Sequence, residues 1–257
     1  MTKIVALAME KGGVAKTTSA VNIAAALALK GKRVLLVDSD PQANATAACY
    51  SKELEGDLYT VYGEDELTAE ALMNNVIVET EHGFHLLPSS RDLSGIEGEA
   101  LLKDNPAYGL LLAKTLEPVR DLFEYIIIDS PPNLGTLTAN ALVAATDVMI
   151  PLQPEMHAVD GLGSLIDTIS KVRVLNPYLN IAGIFLTMVE RNSLHRDIEE
   201  DARSSLTEMG VKVFDTKIKR TIKFGQAADR GRPAVLEFPK HHSVRAYLDL
   251  VEEAFDV

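Results

Sequence analysis

A single cysteine, Cys49, is all the thiol that this 257-residue chain carries. It cannot close an internal disulfide, and it rules out any site that needs two cysteine ligands from one chain. No apolar run approaches the roughly 18 residues of a membrane span. The N-terminus lacks the basic region and A-x-A site of a secretory leader. Internal repeats, low-complexity tracts and a Pro/Gly/Ser linker are missing as well. These absences lead us to expect a soluble, intracellular protein folded as one domain over residues 1–257. A chain of this length buries roughly three quarters of the surface it exposes unfolded, so it needs no staple.

Positive charge is also scarce, with Lys+Arg at 25 against Asp+Glu at 37 and a net charge of −12. That balance argues against a generally basic nucleic-acid coat, but the charge is unevenly placed. Residues 53–104 hold thirteen acids and two bases, whereas 211–232 (VKVFDTKIKRTIKFGQAADRGR) hold seven bases and two aspartates. On charge alone both stretches read first as solvated faces.

Short apolar, β-branched runs alternate with segments of helical period. Strands are expected at 3–9, 33–40, 84–89, 125–131, 148–153, 181–188 and 211–218. Helices are expected at 16–30, 92–103, 108–122, 134–146, 157–175, 194–209 and 240–255. Continuously apolar strands are buried on both faces, as in a parallel sheet covered by helices. The expected fold is therefore α/β: a single doubly wound, mostly parallel sheet with helices on both faces. The acidic stretch 52–83 is poorly periodic and reads as an irregular excursion from the sheet.

The first strand runs into MEKGGVAKTT (9–18) and then into an alanine-rich helix. The usual phosphate-loop pattern G-x-x-x-x-G-K-[ST] fails twice, because Glu10 and Ala15 stand where it has glycine. The segment nevertheless supplies what a phosphate needs: backbone N–H groups, a nearby cation and a helix N-terminus. Gly12 and Gly13 let the backbone close without a Cβ in the way. Lys16 is placed to reach β- and γ-phosphates, Thr17 to ligate Mg²⁺, and Thr18 to meet the α-phosphate. A dinucleotide fold would want G-x-G-x-x-G, which is absent, and would not need Lys16-Thr17. LLVDSDPQAN (35–44) and YIIIDSPPNLG (125–135) each end a buried strand in aspartate. Ligands of open α/β sheets sit beyond the carboxyl ends of strands, so Asp38, Asp40 and Asp129 are expected to converge there. Asp129 suits a place near the metal, and Asp40, held before Pro41, suits orienting an attacking water.

KGGVAKTT, VDSDPQANAT and IIIDSPPNLG, with FLTMVERN (185–192) and the segment 220–250, resemble the ParA/Soj branch of the deviant Walker A P-loop ATPases, which also contains MinD. The resemblance covers nearly the whole chain. It implies ATP and Mg²⁺ bound on Lys11, Gly12, Gly13, Val14, Ala15, Lys16, Thr17 and Thr18, with Thr17, Asp38 and Asp129 around the metal. It implies a face-to-face ATP homodimer in which Lys11 crosses to the opposite subunit's phosphates, and slow hydrolysis dependent on Lys11, Lys16 and Asp40. The family's base-binding I-P-R-N reads Ile218-Lys219-Arg220-Thr221 here, which points to Lys219 and Thr221 for the adenine.

Within that family, MinD-type organisers end in a basic amphipathic helix. This tail, AYLDLVEEAFDV (246–257), has four acids and no base, so it reads as packing onto the domain and no membrane contact is expected. The DNA-partition branch remains: an ATP dimer that binds nonspecific DNA through phosphates, is released when a DNA-bound ParB-like activator speeds hydrolysis, and is found on the nucleoid in the cytoplasm. The basic stretch then offers Lys212, Lys217, Lys219, Lys223, Arg230 and Arg232, with Arg203 ahead of it. The alternative is an ATP-gated positioning switch for a protein cargo, or a membrane-associated MinD-like organiser. Only eight or nine residues precede the loop, so no added N-terminal helix-turn-helix is expected. His241-His242 lack a third ligand at useful spacing and read as structural, and Met149, Met156 and Met188 read as core or pocket lining.

Overall fold

The computed structural model describes residues 2–62, 64, 66–103, 106–155, 160–190, 200, 203–204, 206–207, 210–255 and 257. Eight strands form one sheet: β1 (Lys3–Leu7), β2 (Val34–Asp38), β3 (Val78–Glu79), β4 (His85–Leu87), β5 (Tyr125–Asp129), β6 (Asp147–Leu152), β7 (Asn180–Val189) and β8 (Val213–Lys219). Their spatial order is β3-β4-β2-β5-β1-β6-β7-β8. Every pairing is parallel except that of the two-residue edge strand β3 with β4. The helices are α1 (Lys16–Leu29), α2 (Asn44–Cys49), α3 (Leu58–Val61), α4 (Ala69–Asn75), α5 (Ser94–Lys103), α6 (Leu111–Leu116), α7 (Thr136–Ala144), α8 (Asp160–Val172), α9 (Lys223–Ala228), α10 (Ala234–Glu237) and α11 (His242–Ala254).

Alternate residues of each central strand enter different cores, which is why these runs are apolar throughout. Ile4, Ala6, Leu35, Val37, Ile126 and Ile128 face the layer that contains α6, α7 and α8. Val5, Leu7, Val34, Leu36 and Ile127 face α1 and α11. The alanines of α1 let it lie close against the sheet, and Ala24 to Leu27 are fully buried. Its end is set by Gly31 at φ 75°, whose N–H donates to the Ala28 carbonyl at 2.8 Å, a left-handed helix stop that glycine adopts at little cost. On α11, Val244, Tyr247, Leu250 and Val251 are buried, so the acidic tail packs on the sheet as its pattern indicates.

The stretch 52–83 is more ordered than its composition suggests. Asp57 caps α3 in a reciprocal box with Thr60, Thr68 caps α4 through the Ala71 N–H, and the chain returns as β3. Residues 108–122 are a short α6 between 3₁₀ turns rather than one helix, Pro118 lying in the second turn. Most of the helix expected at 194–209, and Met156, lie outside the described residues.

Candidate functional site

Register brings the site together. Leu7 and Asp38 are both paired with Asp129, so β1, β2 and β5 end level and their loops emerge side by side. Out of β1 the chain turns through Gly13 (φ 78°) and Ala15 (φ 66°, ψ 32°) into α1. Ala15 thus holds a left-handed conformation that costs an L-residue roughly 1–2 kcal/mol, which is the physical reason the ordinary pattern has glycine there. Among the described residues, none of the backbone N–H groups from Gly12 to Thr18 donates to an acceptor in the chain; the first such bond is Ser19 N–H to the Ala15 carbonyl, 2.9 Å. A loop lined with free donors at a helix N-terminus is an anion cradle.

Lys16, 7% exposed, folds back into this loop and donates to the carbonyls of Met9 (2.9 Å) and Lys11 (3.3 Å). Burial lowers its pKa, and the carboxylates of Asp129 and Asp40 pull it back up. Lys11 is half-exposed and ion-paired with Glu155 beyond β6.

The three aspartates converge but differ in what they have left to offer. Asp38 is fully buried; its oxygens accept from the Thr46 N–H (2.7 Å), the Thr46 hydroxyl (2.8 Å) and the Asp40 N–H (3.2 Å). Burial pushes its pKa up to about 6 against those hydrogen bonds. Asp40 sits in a turn, its carboxylate accepting the Gln42 N–H at 2.9 Å, and its carbonyl accepts from Ser89 at 2.8 Å. Asp129 is fully buried and, among the described residues, neither of its oxygens has a partner in hydrogen-bonding geometry. Burial and then Asp38 push its pKa well above the usual carboxylate range, while the neighbouring Thr17 hydroxyl and Lys16 oppose the shift. Two orphaned buried carboxylate oxygens beside a hydroxyl fit a hard divalent cation. Among the described residues no three His, Cys, Asp or Glu side chains gather to hold a metal by themselves. That suits Mg²⁺, which takes one or two protein oxygens and completes its shell with phosphate and water.

Lys219 closes β8, level with Val189 on β7, and Thr221 follows it. They line a cavity of about 770 Å³ with Glu190, Arg220 and His242, and no residue of the loop 11–18 borders it. The cavity that touches Thr17 and Thr18 is bordered by Asn22, Asn44 and Phe224, which the motifs did not single out, and by Arg232, expected only as a DNA contact.

The basic stretch divides into two groups. Arg203 donates to the Phe214 carbonyl (2.7 Å) and approaches Asp215 at 3.8 Å. Alternation along β8 puts Lys217 and Lys219 on the face of Asp215, opposite buried Phe214 and Ile218, and Lys212 lies over the Phe214 ring at 4.6 Å. The second group gathers on Phe238 and Glu237. Lys223 and Arg230 lie over the Phe238 ring at 4.6 and 5.6 Å, and Arg230 and Arg232 both pair with Glu237. The stretch is therefore not one continuous basic surface within a single chain.

The AAA domain family matches residues 2–181. The chromosome-partitioning ATPase Soj of Treponema pallidum is 41% identical, over 98% of this chain and 97% of its own. The chromosome partitioning protein ParA of Caulobacter vibrioides is 40% identical, over 98% and 93%. A Mycobacterium smegmatis structure described as cobyrinic acid a,c-diamide synthase with bound ADP and magnesium superposes with a TM-score of 0.81 at 34% identity, over 98% and 93%. This chain belongs to the AAA-domain P-loop ATPases, in their ParA/Soj branch. No described helix is long and apolar enough to cross a membrane.

Proposed function

We propose that the chain is the ATP-hydrolysing switch of a DNA-partition system. One observation carries the nucleotide reading: a loop whose backbone N–H groups, among the described residues, have no acceptor, with buried Lys16 folded back into it and the orphaned carboxylate of Asp129 acting on that lysine. The loop binds the phosphates of ATP, Lys16 exchanging its two carbonyl acceptors for phosphate oxygens. Thr17 and Asp129 would hold Mg²⁺, which supplies neutralisation of the β- and γ-phosphate charge. Asp38 contributes by anchoring α2 through Thr46, and so sets where Asp40 stands; Asp40 orients the attacking water.

Among the described residues the Lys11 side chain is held by one half-exposed ion pair, worth less than about 1 kcal/mol. That cost is small enough for it to leave Glu155 and reach the phosphates of a second subunit, which makes homodimerisation report ATP. Two chains side by side bring two copies of each basic group onto one assembly. This supports nonspecific DNA binding by the dimer despite an acidic chain, with a DNA-bound ParB-like activator triggering hydrolysis and release. The names of the Soj and ParA relatives support the partition role. The cavity beside Thr17 and Thr18 offers Phe224 as an aromatic wall for the adenine.

Phosphate release from ATP tests the reading. Wild type is expected to turn over slowly and only with Mg²⁺. Lys16→Ala should abolish binding and turnover, and Asp40→Ala should retain ATP while losing at least about tenfold in turnover. Turnover unaffected by Lys16→Ala would overturn it.

A further inference from the structure

The Ala15 backbone raises a question that the nucleotide reading leaves open: what holds an alanine in the left-handed region. The geometry points to Thr187 on β7, far away in sequence, as the residue that positions the phosphate loop; this rests on the loop being the phosphate cradle. The Thr187 hydroxyl, fully buried, donates to the Val14 carbonyl at 3.0 Å. It can do so because β6 ends at Leu152, opposite Leu186, so that Thr187 is the first residue of β7 beyond its neighbour's end. Met188 follows at φ 52°, and the pairing of β7 with β8 shifts register there, so the strand bends where it meets the loop.

The peptide between Val14 and Ala15 is planar and trans, so its carbonyl and its N–H point in opposite directions. With the Val14 carbonyl drawn to Thr187 inside the protein, the Ala15 N–H is aimed the other way, among the free donors of Gly12 to Thr18. Turning this one peptide over would rotate the Ala15 φ by about half a turn, from the strained positive value into the broad allowed region. It would also put a carbonyl oxygen where a phosphate oxygen belongs. An ordinary loop with glycine at this position has no such incentive to flip. Here the Thr187 hydroxyl opposes the strain, and Thr187 acts as a positioning residue that compensates for Ala15.

Four variants test this, each read by thermal unfolding and by MgATP affinity. Thr187→Val keeps the shape and removes the donor; affinity is expected to fall about tenfold or more. Thr187→Ser keeps the donor and should bind within about twofold of wild type. Ala15→Gly/Thr187→Val should recover most of the loss, because glycine holds the left-handed conformation unaided; a merely structural role for Thr187 would not show that rescue. Thr187→Cys, which gives up the γ-methyl and keeps only a weak donor, should fall between Ser and Val and carries the test should the valine variant fold poorly. Wild-type affinity in both Thr187→Val and Thr187→Cys, or no rescue by Ala15→Gly, would overturn the positioning role while leaving the nucleotide reading standing. Wild type that binds no MgATP would overturn both.

Discussion

Ala15 and Asp129 show how single positions at this site trade stability for ligand. Ala15 adopts φ 66°. Replacing it with glycine relieves roughly 1–2 kcal/mol of left-handed strain and gives back about 0.4–1 kcal/mol in unfolded-chain entropy. Strain relief outweighs the entropy, so Ala15→Gly should raise the melting temperature by about 2 °C, with MgATP affinity within about twofold of wild type; calorimetry and titration check both. Asp129 is a buried carboxylate with unsatisfied oxygens beside Asp38. Asp129→Asn removes the like-charge repulsion and should raise the melting temperature of the nucleotide-free protein. The same change should lower MgATP affinity about tenfold or more, since on the proposed reading the buried charge is what the cation uses. A variant that is destabilised and still binds normally would remove Asp129 from the site.

At the scale of elements, the strands were legible because burial on both faces leaves a continuous apolar signature, and β2 and β5 were marked further by the aspartate that closes each. The register that sets Asp38 level with Asp129 has no such signature; it comes from packing of the whole sheet. Helices α3 and α4 were missed although Asp57-x-x-Thr60 and Thr68-x-x-Ala71 are readable caps, because four and seven residues give too little periodicity to follow them. Thr187 lay inside FLTMVERN without a motif to mark it, since its role depends on β6 being the shorter strand. Strand β4, next to the edge strand, carries its own prediction. His85 on β4 is half-buried against Phe123, and burial lowers its pKa more strongly than Glu79 raises it. The folded state therefore disfavours the proton below the ordinary histidine pKa of about 6.5, and stability falls as pH drops through that range. Comparing denaturant unfolding of wild type and His85→Gln from pH 7.5 to 5.5 should show a shallower decline in the variant. Parallel curves would assign the pH dependence to other groups.

For the whole molecule, net charge and the proposed function pull in opposite directions. A chain of net charge −12 is repelled by nucleic acid unless its bases are gathered locally. The fold gathers them twice, around Asp215 on β8 and around Glu237 and Phe238, and in each place an acid neutralises part of the gain. On the proposed reading one chain is a poor DNA ligand and a nucleotide-dependent pair a better one, and coupling of DNA binding to ATP is the consequence expected of that balance of charge. The measurement that meets this claim most directly is binding of a random-sequence duplex by the purified protein with ATP, ADP or no nucleotide, over a salt series. Binding in ATP alone, weakening steeply as salt rises, is the predicted result, with Arg230→Glu lowering both the affinity and the salt slope, the slope by about one. Equal binding in all three states, or none in ATP under conditions where the protein hydrolyses it, would contradict the coupling.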